Sequence, residues 1–458
     1  MPRSTETEIT VIAEIENAET FPVSKVKRRT SLVGQVFASE TAVRQSIVSL
    51  ADQAVASITN FLTGIIIARA CSKEELGLYM LGFSVVLFMM DMQTSLITTP
   101  YMVYAPRLKE RAHALYTGST LIHQLAFCLI ALLGVMCGAF AVSNGIGIRA
   151  LGPVLQSLVV AVSLIMLREH ARRVSFARLR LKTAFIFDAC IAVGQISGLL
   201  VLAHFRLLSA SRAFWVIGLV CGIAVLGWLW SDRGFYEPRM SESLADLRKN
   251  WTLGKWVFAS GLVWVLSVNL YPWLLAAFDS IASTGVWAAC LGVVSVGSPV
   301  IMGIQNLIGP KVAHVYAAKG HVALRGFVFK TTAFVAAPVS FLCLVMFIWG
   351  GRLLTSFYGP QYAGNGLIVA ILALNVLISA LAFSFSRALF AIDRANLDFL
   401  VNFTALFIMI TAGLWLVRAF GPLGAAFGML AANSLTSAVR AVAFLKLPGR
   451  ISIGQDAI

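Results

Sequence analysis

The residues able to do chemistry are polar groups set inside long apolar runs. In 46–68, SIVSLADQAVASITNFLTGIIIA, the residues Ser46, Ser49, Gln53, Ser57, Asn60 and Gly64 recur at steps of three or four. On a helix they share one face. The other faces carry residues such as Ile47, Leu50, Ile58 and Leu62, which suit lipid or packed neighbours. A bilayer offers such a stripe no water, so it packs against other helices or borders a wet cavity. Hydroxyls and amides at this spacing bind a polar solute by hydrogen bonds and do not react with it. We read Gln53, Ser57 and Asn60 as cavity residues, with Ser84, Trp264, Tyr271 and Asn375 from later apolar runs. The same Ser and Asn stripes also read as helix–helix hydrogen bonds alone.

Charges inside apolar runs are the second signal. A charge at mid-bilayer costs on the order of 3 kcal/mol by insertion scales and turns toward the bundle interior or water. Asp52 and Asp91 are ion-coupling candidates, and each also reads as a buried carboxylate held by neighbours. Asp188 closely follows a basic stretch and is expected to cap or to pair with Lys182. Arg44, Arg69 and Arg387 are candidate cavity charges, with Arg149 and Arg440 next. No Walker A, GxSxG or HExxH pattern is present, and the six histidines sit singly near the ends of apolar runs. No catalytic group, metal or cofactor is expected, and any driving energy comes from a gradient or from the solute.

The elements that position these groups follow from composition. Of 458 residues, 59% are hydrophobic and 12% charged, against about 25% charged in soluble domains. Mean hydropathy is +0.84. The expected class is an all-α polytopic membrane protein. Seven cysteines, six of them inside apolar runs and none in a CxxC pair, read as small buried hydrophobes. Residues 1–43 have no apolar core, so they read as a largely disordered cytoplasmic tail and not as a signal peptide.

Twelve apolar segments are long enough to span: 45–68, 76–98, 117–141, 150–167, 183–203, 211–231, 256–278, 282–305, 328–349, 365–386, 398–417 and 422–445. With the N-terminus inside, 29 of the 36 Lys and Arg fall on the cytoplasmic side and 7 on the other. That bias predicts twelve spans with both termini cytoplasmic. It also accounts for the net charge of +15 without nucleic acid.

An internal repeat relates 60–85 to 269–294: Asn60 aligns with Asn269, Gly77 with Gly285 after a one-residue slip, and Tyr79 with Trp287. The offset near 209 residues equals six spans, so the two halves share one orientation about an axis along the membrane normal. The expected parts are a tail over 1–43, a first lobe over 44–231, a cytoplasmic linker over 232–255, a second lobe over 256–446 and a tail over 447–458. The lobes enclose a central cavity. Pro153, Pro272, Pro299 and Pro338 can bend their helices.

Between the first two spans stands ARACSKEELGLY, with Ala68, Arg69, Ser72, Glu74, Glu75, Gly77 and Tyr79 in an "ARxxSxEExGxY" pattern. Ser72 is placed to cap the second helix, with Glu75 completing a capping box. This turn, the two flanking spans and the stretch REHARRVSFARLRLKTAFIFD over 168–188 resemble the Wzx-type polysaccharide-transport flippases of the MOP superfamily. The resemblance in architecture covers about 33 to 446. It implies translocation of a polyprenyl-diphosphate oligosaccharide across the bacterial inner membrane by alternating access, for surface or exopolysaccharide biosynthesis. Its implied partners are the lipid-linked oligosaccharide, membrane lipids, and polymerase and export machinery. The diphosphate would need cations, for which Arg44, Arg69 and Arg387 are the nearest candidates, and Trp264, Tyr271 and Trp273 would stack on sugar rings. The alternative is a cation-coupled multidrug or metabolite exporter of the MATE type, with Asp52 and Asp91 binding the ion. A membrane-embedded glycosyltransferase or polymerase would need long outside loops bearing carboxylates, and the outside loops are short.

Overall fold

The computed structural model describes residues 40–446 except Asp393, with side chains from Ile47 onward other than at 260, 264 and scattered positions within 299–310 and 393–399. The side chains of Arg44 and Trp264, the first 39 residues of the expected N-terminal tail and the whole C-terminal tail lie outside that description. All regular structure among the described residues is helical. Hydrocarbon leaves backbone N–H and C=O groups no partner but one another, and a helix satisfies them within the segment. Among the described residues ten helices are long and apolar enough to cross a membrane, and the chain is a multi-pass membrane protein.

We number the helices α1 (Glu40–Ala70), α2 (Lys73–Gln93), α3 (Thr99–Tyr104), α4 (Glu110–Ser143), α5 (Gly152–Ala177), α6 (Leu181–His204), α7 (Ala210–Asp232), α8 (Met240–Phe278), α9 (Ile281–Ser295), α10 (Ser298–Tyr358), α11 (Gly366–Ala391) and α12 (Ala395–Lys446). A π turn, Thr94–Thr98, joins α2 to α3. Pro100 explains it: a proline cannot donate to the carbonyl four residues back, and the Thr99 N–H bonds five residues back to Thr94.

The two longest helices are hairpins. A straight 61-residue α10 would be about 90 Å long, three times the hydrocarbon core. At Gly320 the backbone turns to φ 71° and ψ −171°, and a methyl group on Gly297 would collide with Leu342. A straight helix would hold those residues about 68 Å apart. In α12 the break is Gly421, at φ 54° and ψ −132°, followed by Pro422. A methyl on Gly428 would lie 3.3 Å from the Gly413 Cα, which a straight helix would put about 22 Å away. The expected segments 398–417 and 422–445 therefore lie on two antiparallel arms of α12. The expected segment 282–305 is interrupted: α9 ends after 15 residues and α10 begins beyond Gly297.

The repeat is legible in the packing. Ser72 and Ser280 each cap a helix, accepting from the N–H of Glu75 and of Ser283. A methyl on Gly77 would collide with the Ile281 carbonyl and stand 3.1 Å from the Gly285 N; one on Gly285 would collide with the Lys73 carbonyl and stand 3.2 Å from the Gly77 N. Residue 73 touches 285 while 281 touches 77, the reciprocal pattern of a two-fold contact. Only glycines let α2 and α9 approach so closely. The expected capping box is half formed: the Glu75 carboxylate does not turn back to Ser72 but accepts from the Ala210 N–H at 2.5 Å. It thus places negative charge at the N-terminus of α7.

Two expected loops are helical. Residues 168–177 continue α5, and most of the expected linker forms the start of α8. That start docks on α4. Tyr116 Oη donates to Asn250 Oδ1 at 2.7 Å, and His123 Nε2 donates to the Ser243 carbonyl at 2.8 Å. Gly118 leaves space for the backbone, since a methyl there would come 2.5 Å from the Glu237 carbonyl.

Candidate central cavity

A cavity of about 430 Å³ lies between α1, α2, α8, α9 and the two ends of α10. Ser57, Asn60 and Phe61 reach it from α1, Phe83 from α2, Asn269 from α8 and Tyr358 from the far end of α10. Among the described residues no charged side chain lines it. Asn60 and Asn269, equivalent in the repeat, both stand on its wall. Tyr358 enters because Gly64 and Gly292 make room: its hydroxyl is 3.5 Å from where a Gly64 methyl would be and would collide with one on Gly292. The wall is largely apolar, with Ile58, Leu76, Met80, Leu87, Val268 and Leu291 on it, and offers a few neutral hydrogen-bonding groups beside aromatic faces, which suits an uncharged amphipathic solute better than an ion.

Of the expected cavity residues, Ser57 and Asn60 stand on this wall. Gln53 is half-buried and lies off it. Ser84 is buried and accepts from Trp273 Nε1 at 2.8 Å, tying α2 to α8. Tyr271 is buried elsewhere: its ring fills a notch made by Gly413 and Gly428 in the α12 hairpin and packs against Trp287. Asn375 is buried and accepts from Asn433 Nδ2 at 2.7 Å, a link between α11 and α12. These two placements follow one cause. Polar or aromatic groups at helical spacing serve neighbouring helices as readily as a cavity.

The candidate cations are dispersed. Arg69 Nε donates to the Phe357 carbonyl at 2.8 Å and Nη2 donates to that of Ser356, at the C-terminal end of α10. A guanidinium there meets the negative end of the helix dipole. Gln361 Nε2 bonds back to the Ala68 and Cys71 carbonyls at 2.6 and 3.2 Å. Together they strap the α1–α2 turn to the end of α10. Arg387 is exposed and stacks on Phe383 and Phe390, 4.8 and 5.8 Å from their centroids. Arg440 Nε donates to Asp398 at 2.8 Å and its Nη2 donates to Asn402 at 2.6 Å. Neither group is on the cavity wall.

The two candidate carboxylates differ. Asp52 is buried and paired with Arg172. Arg172 Nε also donates to Asp188 at 2.6 Å, and Arg168 Nη2 reaches Asp188 at 2.5 Å. Glu169 takes Arg173 at 2.6 Å. Three carboxylates and three guanidinium groups from α1, α5 and α6 cancel in charge. Asp188 therefore pairs with Arg168 and Arg172, not with Lys182. The signal missed was Arg168 and Arg172 at i and i+4, which become one buried face once α5 runs on to Ala177. Asp91 is half-buried, and its Oδ2 has no hydrogen-bond partner among the described residues. It packs against Gly261 of α8, where a methyl would come 2.7 Å from Oδ2. It lies one turn before the π turn, a distortion common at functional sites.

No family model matches the sequence, and no curated protein matches it. Solved structures do. One is an inward-facing multidrug resistance MATE family transporter of the MOP superfamily, with a TM-score of 0.71 and 12% identity over 85% of this chain and 93% of that one. The lipid II flippase MurJ, in an inward closed conformation, is similar at a TM-score of 0.67 and 12% identity over 89% and 88%. The MATE multidrug transporter DinF-BH gives 0.59 and 16% identity over 92% and 98%. The chain has the fold of the MOP superfamily transporters.

Proposed function

We propose that this protein is a flippase that moves a polyprenyl-diphosphate-linked oligosaccharide from the inner to the outer leaflet of a bacterial inner membrane by alternating access. The observation that carries the reading is the uncharged cavity between the halves, a largely apolar wall in which hydroxyl, amide and aromatic groups are set. A cationic drug would call for a free carboxylate there, and the Asp52 and Asp188 carboxylates are already held by guanidinium groups. The reversals at Gly320 and Gly421 split two long helices and support twelve crossings in two six-helix lobes. The bias of basic residues supports cytoplasmic termini. On that topology the Gly77–Gly285 contact and the Arg69–Gln361 strap close the outer end, and the residues are asked only to bind and to move.

A strain lacking the gene is expected to accumulate lipid-linked repeat units on the inner leaflet and to lose surface polysaccharide. Intact polysaccharide with altered drug susceptibility would select the MATE-type exporter, for which the unpaired Oδ2 of Asp91 is the supporting observation. In the complemented strain, Arg69→Ala is expected to lower export by releasing the strap to the end of α10, while the amount of protein in the membrane stays unchanged, as read by blotting. Normal export would show that transport does not need the strap.

A further inference from the structure

A second cavity, about 170 Å³, lies within the first half of the chain, between α1, α2, α5, α6 and α7. Asn60, Tyr79, Phe83 and Leu87 line both it and the central cavity, so the two adjoin across those side chains. Its space holds on the order of ten waters. That is too small for an oligosaccharide, whose binding sites run to about 300 Å³ or more, and suits a single ring.

The walls differ in chemistry. On one side Tyr79 stacks on Phe83 and on Phe214, with centroids 6.0 and 5.1 Å apart. On the other stand Arg168, Asp188 and Gln195. The Arg168 guanidinium is held in place by Asp188 and Glu169. Gln195 is fixed by its Nε2 donating to Thr63 Oγ1 at 2.8 Å. The charges of the surrounding network cancel, so neither a cation nor an anion finds a net counter-charge. Aromatic faces opposite fixed hydrogen-bonding groups fit the apolar face and the hydroxyl edge of a sugar.

We infer that this side pocket receives one neutral sugar ring of the transported glycan and thereby selects among oligosaccharides. The inference rests on the flippase reading. Ala192 lines the side pocket and not the central one, so it gives a way to change one without the other. In the deletion strain, wild-type protein is expected to restore polysaccharide export and Ala192→Phe to abolish it at equal membrane abundance. Failure of the wild type to restore export would defeat the flippase reading itself. Full export by Ala192→Phe would overturn only the side pocket.

A second measurement does not depend on that bulky variant folding. In a background with the seven native cysteines replaced by serine, the thiol introduced by Ala192→Cys is exposed to N-ethylmaleimide in detergent. Lipid-linked oligosaccharide extracted from the deletion strain is expected to slow its alkylation several-fold, and undecaprenyl diphosphate without sugar is expected to leave it unchanged. No alkylation in the free protein would mean that the pocket is closed off. Equal rates with and without the glycolipid, or equal protection by the sugar-free lipid, would likewise refute the assignment.

Discussion

Arg172→Ala is expected to cost the protein about 3–5 kcal/mol of stability and most of its steady-state amount in the membrane. Arg172 holds Asp52 and Asp188 from two other helices, and both carboxylates are buried. Truncation leaves two negative charges in a low-dielectric interior with only Arg168 still nearby. Against a total stability of about 5–15 kcal/mol for a typical domain, the loss is severe. Arg172→Lys is expected to recover little, because one ammonium cannot reproduce a planar fork reaching two carboxylates. The sharper comparison is Arg172→Met combined with Asp52→Asn. That pair removes one charge of each sign and leaves Arg168, Arg173, Glu169 and Asp188 in balance. It is expected to be far more stable than Arg172→Ala, as read from the unfolding temperature of purified protein in detergent. An unfolding temperature for Arg172→Ala equal to that of the wild type would mean that the network does not hold α1 to α5 and α6.

Gly285→Leu is expected to abolish transport while sparing the protein. A side chain there meets the backbone of α2 at the Lys73 carbonyl, which cannot swing aside as a side-chain tip would. The two helices must separate. If the contact is what closes the outer end, the transporter loses its inward-open state. A tenfold loss of export requires only about 1.4 kcal/mol against the closed arrangement, and a clash with main chain is worth more than that. Gly77→Leu is expected to give the same result, because the contact is reciprocal, and Gly285→Ala a milder one. Complementation of the deletion strain measures the effect, with membrane abundance as control. Wild-type export from both leucine variants would show that the halves move without this contact.

The sequence made the apolar segments legible because hydrocarbon leaves the backbone no alternative to helix. The repeat was equally open to reading: Gly77 and Gly285, aligned in the sequence, meet in the fold. Of the first-helix stripe, Ser57 and Asn60 stand on the cavity wall and Gln53 lies off it, because one helical face borders both the cavity and its neighbouring helices. The errors have a physical pattern. Arg168, Glu169, Arg172 and Arg173 resembled a solvated loop because their partners, Asp52 and Asp188, lie 120 and 16 residues from Arg172 in sequence. Tyr271 and Asn375 resembled cavity residues because a pattern of polar positions cannot tell a notch between glycines from a binding wall. The side pocket was invisible, since five helices supply its walls and no single segment carries its signature.

The docked start of α8 changes how motion passes between the halves. One continuous helix runs from Met240 to Phe278; its short end is pinned to α4 through Asn250, Ser243 and the seat at Gly118, while its long end forms a wall of the central cavity. It is a lever with a fixed fulcrum. Any swing of the cavity wall would load the pinned end against α4, so on the alternating-access reading this contact would favour a pivot about one edge, like a door on its hinge post, over a slide.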